Sequence, residues 1–570
     1  MLKQYRESVR KAASTALTPQ ENVSAFEGQD QEYDTGDWLA DEYGVRKRYE
    51  DEIACPHPIW PVERLRNIDT GEMKVRLAFR RGTGNRRVFD TILTDFETVA
   101  NAKNIVTLAR VGISVTSGRR AQNLVDYLAD VMDLNYDRIP ETKSVSRMGW
   151  NEEGFAPYVE NVIFDGNANF EDTFKAIHPK GSYEIWKEEA RACRQYSIAA
   201  RLVLAASFAS VLVGPLGCLP FFVHLWGMDS ATGKSVAQML AASVWADPVL
   251  GGRYLKTFKG TSTGFEIMAG FLNSLPVIID ELQLAKDSHG RVNYNVYELA
   301  AGAGKLRSNK TLGLVSAPTW ANCFITSGET PLVGENDGAG AMNRVVEIEC
   351  KADQKAIRDG HHTASLLKLN YGHAGKEFVN LLTTKNGIEA ARNIYEAYYA
   401  ECIQDDTTEK QAMAAALLLT GDALASHLIF DEVNALNPAD IREFLKSKET
   451  VSAAARGYDY MCDWVGQNAD RLQGQPVGGT VYGLIEEGQN GVTWAYIIRS
   501  VWNAACRDAG INAPALLSHL RSRGLIRTRA KALTIPKRIN KIVTECVAMQ
   551  LPVPETFEEF ESPEDPPFPD

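Results

Sequence analysis

The chain has 570 residues, of which 45% are apolar and 24% are charged, a composition that excludes a largely disordered, collagenous or membrane-embedded protein. One hydrophobic core rarely serves so long a chain, so we expect about three or four structural units. The 61 Lys and Arg residues against 73 Asp and Glu give a net charge of -12, which provides no overall attraction to DNA or to an anionic membrane. Any binding to nucleic acid must rest on a local basic surface.

The cysteines and one long apolar run bear on the cellular compartment of the protein and on whether it crosses a membrane. Nine cysteines are scattered without a C-x-x-C pair, which predicts neither a zinc ribbon nor a disulfide framework and suits the reducing cytoplasm. Residues 202–226 contain no Asp, Glu, Lys or Arg and are long enough to span a bilayer. Gly and Pro at 214–220 divide this run, so we expect a helix of residues 183–213, a strand of residues 221–226 and no membrane partner.

The amino-terminal part of the chain changes character near residue 45. Residues 1–45 are polar, with an acidic patch, and predict a loosely held extension. Residues 46–148 predict an α+β domain, because an alternating pattern around Asp69-Thr70-Gly71 indicates a hairpin and residues 101–112 and 119–135 carry apolar residues at helical spacing.

The rest of the chain divides by composition. Residues 149–350 alternate apolar strand runs with helices and predict an α/β core, a parallel sheet flanked by helices. Residues 351–477 are rich in Ala, Leu and Glu and predict a helical subdomain. Residues 478–550 predict a compact winged-helix-like domain. Residues 551–570 are Pro-rich, with seven Asp or Glu and no Lys or Arg, and predict a disordered acidic tail.

The most informative stretch is FFVHLWGMDSATGKSVAQMLAASVWA, which predicts an apolar strand, a glycine-containing loop and a helix, the context of a P-loop NTPase. In such a loop, backbone N–H groups and the helix N-terminus hold phosphates, the lysine reaches the β- and γ-phosphates, and the hydroxyl holds Mg²⁺. Five residues rather than four separate the two outer glycines, which indicates an enlarged loop. We predict that ATP and Mg²⁺ are bound by Gly227, Ser230, Thr232, Gly233, Lys234, Ser235 and Val236.

Two further strand ends carry residues suited to ATP hydrolysis. SLPVIIDELQ is an apolar strand ending in Asp280 and Glu281, and a parallel strand beside the loop would place both carboxylates at the edge where ligands bind. Asp280 suits Mg²⁺, and Glu281 suits a general base that polarises the attacking water. WANCFITSGET ends in Thr326 and Ser327, either of which would hydrogen-bond the water or the γ-phosphate.

Arg344 follows a Gly-rich segment and precedes another apolar strand. An arginine so placed can reach the nucleotide of a neighbouring subunit as a finger. Each signal also has an ordinary structural explanation: Asp-Glu often ends a solvated strand, and Arg344 alone is more typical of a surface ion pair than of a finger. Their order and spacing together favour a nucleotide site.

A basic turn lies between the second and third strands of this core. YELAAGAGKLRSNKT places Lys305, Arg307 and Lys310 in and after a Gly-rich turn. This turn either contacts single-stranded DNA in a central pore or is simply a solvated basic turn, and the residues alone favour neither alternative.

These segments resemble a known family. GWNEEGF, the phosphate-binding segment, TFKGTSTGFEIMAGFLNSLPVIIDELQ, ELAAGAGKLRSNKT, FITSGE and GAMNRVVEIE are similar to the phage- and mobile-element-encoded domain-of-unknown-function family nine-two-seven. The stretch from PIWPVERLRNIDTGE through GISVTSGRRAQNLVDYL looks like the same family. The resemblance therefore covers most of the chain to about Cys350.

The resemblance implies a function that the residues alone leave open. Members of the family resemble superfamily 3 helicases and other AAA-like ATPases, and are often linked to primases in phage and plasmid replication. The resemblance implies a ring-forming ATPase that translocates along nucleic acid in the cytoplasm of a bacterial host cell. By this analogy the turn of residues 305–310 occupies the place of a DNA-contacting hairpin, and Arg344 that of an arginine finger.

A basic module lies near the carboxyl terminus. Residues 496–541 hold ten Lys or Arg and one acidic residue, and predict two helices followed by a strand-like hairpin, as in a winged helix-turn-helix. Such an edge would position DNA without reading its sequence. The alternative is a protein-docking domain with solvated charges, but the clustering favours nucleic acid. The predicted phosphate-facing residues are Arg521, Arg523, Arg527, Arg529, Lys531, Lys537 and Arg538.

The leading hypothesis is an ATP-hydrolysing motor of a phage or mobile element that unwinds or translocates single-stranded or forked DNA during replication, as a homo-oligomeric ring. One alternative is an ATP-dependent loader or switch that binds DNA and recruits a primase or helicase without unwinding. Another is an ATPase that remodels protein partners, which would be favoured if the basic module did not bind DNA.

Overall fold

The computed structural model describes residues 33–41, 43–50, 52–82, 88–285, 294–308, 314–315, 317–333, 339–403, 406–474, 479–488, 491–530 and 532–552. Lys310, Lys531, most of the predicted polar extension and nearly all of the predicted acidic tail lie outside the described residues. Arg307 is described through its backbone alone.

The amino-terminal part is built on antiparallel strand pairs, except that β7 pairs in parallel with β4 and with β10. Strands β1 to β3 form a three-stranded sheet, β8 and β9 form a hairpin, and the remaining strands form a five-stranded sheet in the order β10-β7-β4-β5-β6. The predicted hairpin around Asp69-Thr70-Gly71 is confirmed, because β4 pairs antiparallel with β5. The strands are β1 (Trp38–Asp41), β2 (Gly44–Lys47), β3 (Ile53–Cys55), β4 (Ile59–Asn67), β5 (Met73–Arg81), β6 (Val88–Asp95), β7 (Glu141–Val145), β8 (Gly149–Asn151), β9 (Gly154–Ala156) and β10 (Val162–Phe164).

Two helices complete this part, α1 (Phe96–Val99) and α2 (Arg119–Leu134). Helix α2 confirms the helical spacing of residues 119–135, since its apolar positions are buried against the strands. The other predicted helix is a 3-10 helix, Ile105–Val111, which ends at Gly112 in the left-handed conformation.

A parallel five-stranded sheet forms the centre of the molecule, as predicted. Its order is β12-β13-β16-β11-β17, and every pairing in it is parallel. The three central strands are mostly apolar and are buried on both faces, which is typical of a sheet covered on both sides. The strands are β11 (Phe221–Trp226), β12 (Lys256–Thr257), β13 (Val277–Asp280), β16 (Cys323–Gly328) and β17 (Val345–Glu349), with the separate hairpin β14 (Arg307–Ser308) and β15 (Leu314–Val315).

The helices beside this sheet include one departure from the sequence prediction. The expected single helix of residues 183–213 is broken at Ser197, whose extended backbone and side chain cap a second helix by accepting from the N–H of Ala200. Serine favours this capping position over a helix interior. The helices are α3 (Ala168–Ala176), α4 (Tyr183–Tyr196), α5 (Ile198–Ser210), α6 (Lys234–Ser243), α7 (Ser262–Leu272), α8 (Val296–Leu299) and α9 (Ala339–Met342).

The segment after β17 is helical, as predicted, and shares its core with the parallel sheet. One continuous set of buried apolar residues includes the sheet strands and the helices up to Val451, and α13 packs along α5. Among the described residues, no helix combines the length and the apolar character needed to cross a membrane. The helices are α10 (Gly360–Leu369), α11 (His373–Leu382), α12 (Gly387–Cys402), α13 (Glu409–Leu428), α14 (Pro438–Ile441), α15 (Lys448–Val451) and α16 (Ala453–Gln467).

The carboxy-terminal part has its own core, to which α16 contributes Met461 and Val465. Its strands are antiparallel, in the order β18-β19-β22-β20 with β21 also on β22. The first of the two helices predicted within residues 496–541 starts only at Arg499, because the β-branched and aromatic residues before it form a strand. The elements are β18 (Gly483–Glu487), β19 (Thr493–Ile498), α17 (Arg499–Asp508), α18 (Ala513–Ser522), β20 (Ile526–Arg527), β21 (Ile535–Ile539) and β22 (Ile542–Gln550).

Candidate functional site

A cavity of about 790 Å³ opens at the carboxyl edge of the parallel sheet, where open α/β sheets bind their ligands. It is lined by the loop after β11, the ends of β13 and β16, and the segment that joins β17 to α10. The structure brings together there ten of the predicted site residues: Gly227, Ser230, Thr232, Gly233, Lys234, Ser235, Val236, Asp280, Glu281 and Ser327.

The two outer glycines of the loop are required by close backbone contacts. A Cβ on Gly227 would lie 2.3 Å from the carbonyl oxygen of Cys350, and one on Gly233 would lie 2.8 Å from the backbone nitrogen of Ile357. Gly233 is also left-handed, with φ of 87°, and forms the N-cap of α6. Any side chain at either position would therefore displace the loop.

Lys234 is held over its own loop. Its ammonium donates to the carbonyl oxygens of Gly227 at 2.8 Å and Asp229 at 3.1 Å. Ser235 follows in the first turn of α6, where unpaired N–H groups and the helix dipole favour an anion. The loop thus presents a cation, a hydroxyl and a helix N-terminus to one cavity.

The acidic edge of the cavity is organised by Ser327. Its hydroxyl donates to the Asp280 carboxylate, and its oxygen accepts from the N–H of Glu281 at 3.2 Å. Asp280 and Ser327 are only 6% and 2% exposed, whereas Glu281 is exposed. Glu281 has a φ of 64°, a left-handed conformation that is unfavourable for a residue with a side chain and is typical of functional sites.

Thr326 and Ser327, the two alternatives for the third strand, face opposite sides of β16, as neighbours on a strand do. The Thr326 hydroxyl lies 2.8 Å from Nδ1 of His224, and Nε2 of His224 lies 3.0 Å from the carbonyl oxygen of Thr330. Nε2 must donate to that carbonyl, so Nδ1 accepts from Thr326. Burial lowers the pKa of His224 to about 4. Thr326 therefore orients a neutral histidine, and Ser327 faces the cavity.

Arg344 lies away from this cavity. It precedes β17 and so sits at the amino-terminal edge of the sheet, on the order of 16 Å of strand from the phosphate-binding loop. Its guanidinium packs 5.1 Å from the centre of the Tyr297 ring and donates to the Gly340 carbonyl. Arg344 is 8% exposed. Within one chain it does not contact the site.

The predicted basic turn includes β14, which pairs antiparallel with β15 in a hairpin. Lys305, at its base, forms an ion pair with Glu298, with Nζ and Oε2 3.0 Å apart. The next residue, Leu306, is 75% exposed. The base of the hairpin therefore presents an apolar side chain beside a partly neutralised lysine.

In the carboxy-terminal part, three of the predicted DNA-facing cations have acidic or aromatic partners. Arg529 pairs with Glu545 and Lys537 with Glu486. The Arg527 guanidinium stacks 4.2 Å from the centre of the Trp494 ring and donates to the Tyr496 hydroxyl. These three side chains stabilise the sheet, so they are less available to phosphate than their charge suggests.

The other cations of this part remain at the surface. Arg521 and Arg523 are exposed at the end of α18, and Arg538 is exposed on β21. None of the three forms an ion pair with an acidic residue in the part of the chain that the structure describes. The structure thus divides the predicted basic edge into cations with acidic or aromatic partners and cations without such partners.

Several residues that line the cavity were not predicted from the sequence. They include Lys355, Arg358, Glu329 and His361. Asp229 lies within the loop, and its carboxylate accepts from the N–H of Ala352 at 2.9 Å. The enlarged spacing of the loop was the one signal for Asp229. Nothing in the sequence pattern indicates that residues more than 100 positions after the loop fold back on it.

Comparisons with solved structures show the fold. The structure described as "SCCmec type IV Cch - active helicase" is 18% identical, with a TM-score of 0.66, and the match covers 93% of this chain and 98% of that chain. The A-form apo structure of the NrS-1 C-terminal region is 10% identical with a TM-score of 0.23, over 68% of this chain and 90% of that one. No protein with a curated description matches the chain.

Family comparisons agree with the fold. The Cch helix turn helix domain matches residues 452–556, the range that contains α16 to β22. The protein therefore has a mixed α/β fold with a parallel sheet, helical regions and a carboxy-terminal helix-turn-helix domain. The family described as "Domain of unknown function (DUF927)" matches residues 31–318, half of the chain, and the protein belongs to this family.

Proposed function

We propose that the protein is an ATP-hydrolysing, DNA-binding motor with a P-loop NTPase core, a helicase-like ATPase of a phage or mobile element. One observation carries this proposal: a lysine, a helix N-terminus, a buried Asp, an exposed Glu and a buried Ser from three neighbouring strands line one cavity. These groups are the ones that phosphoryl transfer from ATP requires.

Each group has a definite role in this proposal. Lys234 and the N–H groups of the loop bind the β- and γ-phosphates. Ser235 and Asp280 fit Mg²⁺, which takes one or two protein oxygens and completes its shell with phosphates and water. Glu281 accepts a proton from the attacking water. Ser327 holds Asp280 and the Glu281 backbone in place.

Two surfaces support DNA as the partner. One is formed by the exposed cations of the helix-turn-helix domain that have no acidic partner among the described residues, Arg521, Arg523 and Arg538, and it suits the phosphate backbone. The other is the hairpin of β14 and β15, where Lys305, Arg307 and Lys310 were predicted to meet DNA. The similar structure named as an active helicase shares the same fold over nearly its full length, which supports a helicase-like role for this chain.

We further propose a homo-oligomeric ring, with primase or other replication proteins as partners. Arg344 supports a site shared between subunits, because it lies at the sheet edge opposite to the cavity of its own chain. In that position it serves only a neighbouring nucleotide.

Unwinding of a tailed duplex by the purified protein with ATP and Mg²⁺ tests the motor. We expect strand separation by the wild type and none by Glu281→Gln, which keeps the loop intact. Binding of the duplex without separation, with ATP turnover retained, would instead favour the loader. Turnover without any DNA binding would favour a remodelling ATPase.

A further inference from the structure

A segment after the parallel sheet packs along the phosphate-binding loop. This strap, residues 350–359, connects β17 to α10. The N–H of Cys350 donates to the carbonyl of Trp226 at 2.7 Å, and the N–H of Ala356 donates to the carbonyl of Thr232 at 2.8 Å. With the bond from Ala352 to the Asp229 carboxylate, the strap holds both ends and the middle of the loop.

The strap and the phosphate-binding loop are packed so closely that neither can move independently of the other. The two outer glycines touch the strap at Cys350 and Ile357, where a Cβ would clash. Ala356 and Ile357 are buried, at 0% and 2% exposure. A shift of the strap must therefore move the loop, because packed interiors have no space for independent sliding.

The strap is fixed on its other side by the helices that precede the sheet. The Ser197 hydroxyl donates to the Ala356 carbonyl at 2.6 Å. The Arg358 guanidinium lies 5.1 Å from the centre of the Tyr196 ring, a distance at which a cation is attracted to an aromatic face. Asp359 caps α10 by accepting from the N–H of His362.

The two residues that flank this buried pair carry positive charge. Lys355 and Arg358 are exposed and line the cavity. Within the described part of the chain neither forms an ion pair, whereas Lys351, on the same strap but outside the lining, pairs with Glu349 at 3.2 Å. The cavity also contains five acidic residues, Asp229, Asp280, Glu281, Glu329 and Asp359, so Lys234 and one Mg²⁺ leave much of the negative charge of a bound triphosphate uncompensated.

We infer that the strap is the second half of the nucleotide site: Lys355 and Arg358 bind the terminal phosphate of a nucleoside triphosphate from within the same chain. This inference rests on the proposed function and adds two phosphate-binding residues to the proposed site. Arg358 stays on Tyr196 until that phosphate is present and then moves to it. A diphosphate lacks the group that these cations bind, so the strap distinguishes ATP from ADP.

Equilibrium titration of the full-length protein with a non-hydrolysable ATP analogue and with ADP, both with Mg²⁺, tests the inference. Arg358→Ala should weaken binding of the analogue by about tenfold, because one charge-assisted hydrogen bond is lost. The same variant should weaken binding of ADP by less than about threefold. Arg358→Lys should recover part of the loss. Lys351→Ala, the matched control, should bind both ligands as the wild type does.

The titration separates failure of this inference from failure of the proposed function. An unchanged ratio of analogue to ADP affinity in Arg358→Ala, with normal binding by wild type and Lys351→Ala, would overturn the strap assignment alone. Absence of nucleotide binding by the wild type would overturn both proposals. Tyr196→Leu removes the stacking partner and keeps the cation, so a purely structural role for Arg358 predicts that Tyr196→Leu reproduces the loss, and our inference predicts that it does not.

Discussion

Ser327, at the end of β16, donates its hydroxyl to the carboxylate of Asp280 at the end of β13, and the same oxygen accepts the N–H of Glu281. Asp280, proposed to bind Mg²⁺, and Glu281, proposed to activate the water, are thus joined through one buried hydroxyl. The left-handed backbone of Glu281 is held by this bond, since a strained conformation persists only where its surroundings determine it.

Removal of the Ser327 hydroxyl should lower the rate of ATP hydrolysis more than it lowers the affinity for ATP. We expect Ser327→Ala to lower kcat for ATP hydrolysis by about 10- to 100-fold, with KM changed by less than about threefold, because the Glu281 carboxylate loses its orientation. Steady-state kinetics of Ser327→Ala and Ser327→Thr provide the measurement. The Ser327→Thr variant should retain most of the activity, because threonine keeps a hydroxyl at this position. Equal kcat in the alanine variant and the wild type would exclude Ser327 as a positioning residue.

His224 should make stability depend on pH below neutrality. Its folded pKa of about 4 lies below the value of about 6.5 of an unfolded histidine, so the unfolded chain binds more protons between these values. The stability due to neutral His224 is complete above about pH 6.5 and falls as the pH approaches 4. Melting temperatures of wild type and His224→Gln should therefore differ most at pH 7 and converge toward pH 4.5. A difference that does not vary with pH would contradict this account.

Arg344 should act on a neighbouring subunit. Arg344→Ala and Glu281→Gln should each lose ATP turnover, the first by about 1,000-fold for a lost finger. Mixed oligomers of the two variants should regain activity, because some sites then combine an intact Glu281 with an intact Arg344 from the next subunit. A mixture as inactive as its components, with oligomers verified by light scattering, would argue that Arg344 only packs against Tyr297.

The cations of the helix-turn-helix domain that lack an acidic or aromatic partner should carry DNA binding, and those with such a partner should contribute less. Alanine at Arg521, Arg523 or Arg538 should weaken DNA binding and lower the slope of log Kd against log salt by about one each. Arg529→Ala is the matched control, because its loss breaks the pair with Glu545 and should lower the melting temperature with a smaller change in the salt slope. Equal effects on the slope at all four positions would refute the division.

The sequence alone predicts the parts of this site that are local. Strand β11, the loop and α6 follow from one apolar run, the spacing of the outer glycines and the helical pattern after Lys234. Asp280 and Ser327 were predicted because each ends an apolar strand, and the carboxyl ends of parallel strands meet at one edge.

The remaining features depend on contacts between distant residues. The bond from Ala352 to Asp229 joins positions 123 apart, and the pair of Lys537 with Glu486 joins positions 51 apart. Neither leaves a periodic or compositional signal in the chain. The cluster of basic residues was visible in the sequence, but which of them have an acidic partner depends on which strand each acidic residue faces.

The central claim is that this chain couples ATP hydrolysis to DNA, and steady-state hydrolysis with and without single-stranded DNA tests it most directly. We expect strong stimulation by DNA, and loss of turnover in folded Lys234→Ala, whose ammonium no longer reaches the phosphates. Hydrolysis that is indifferent to DNA, or a Lys234→Ala variant that turns over ATP as fast as the wild type, would contradict the account.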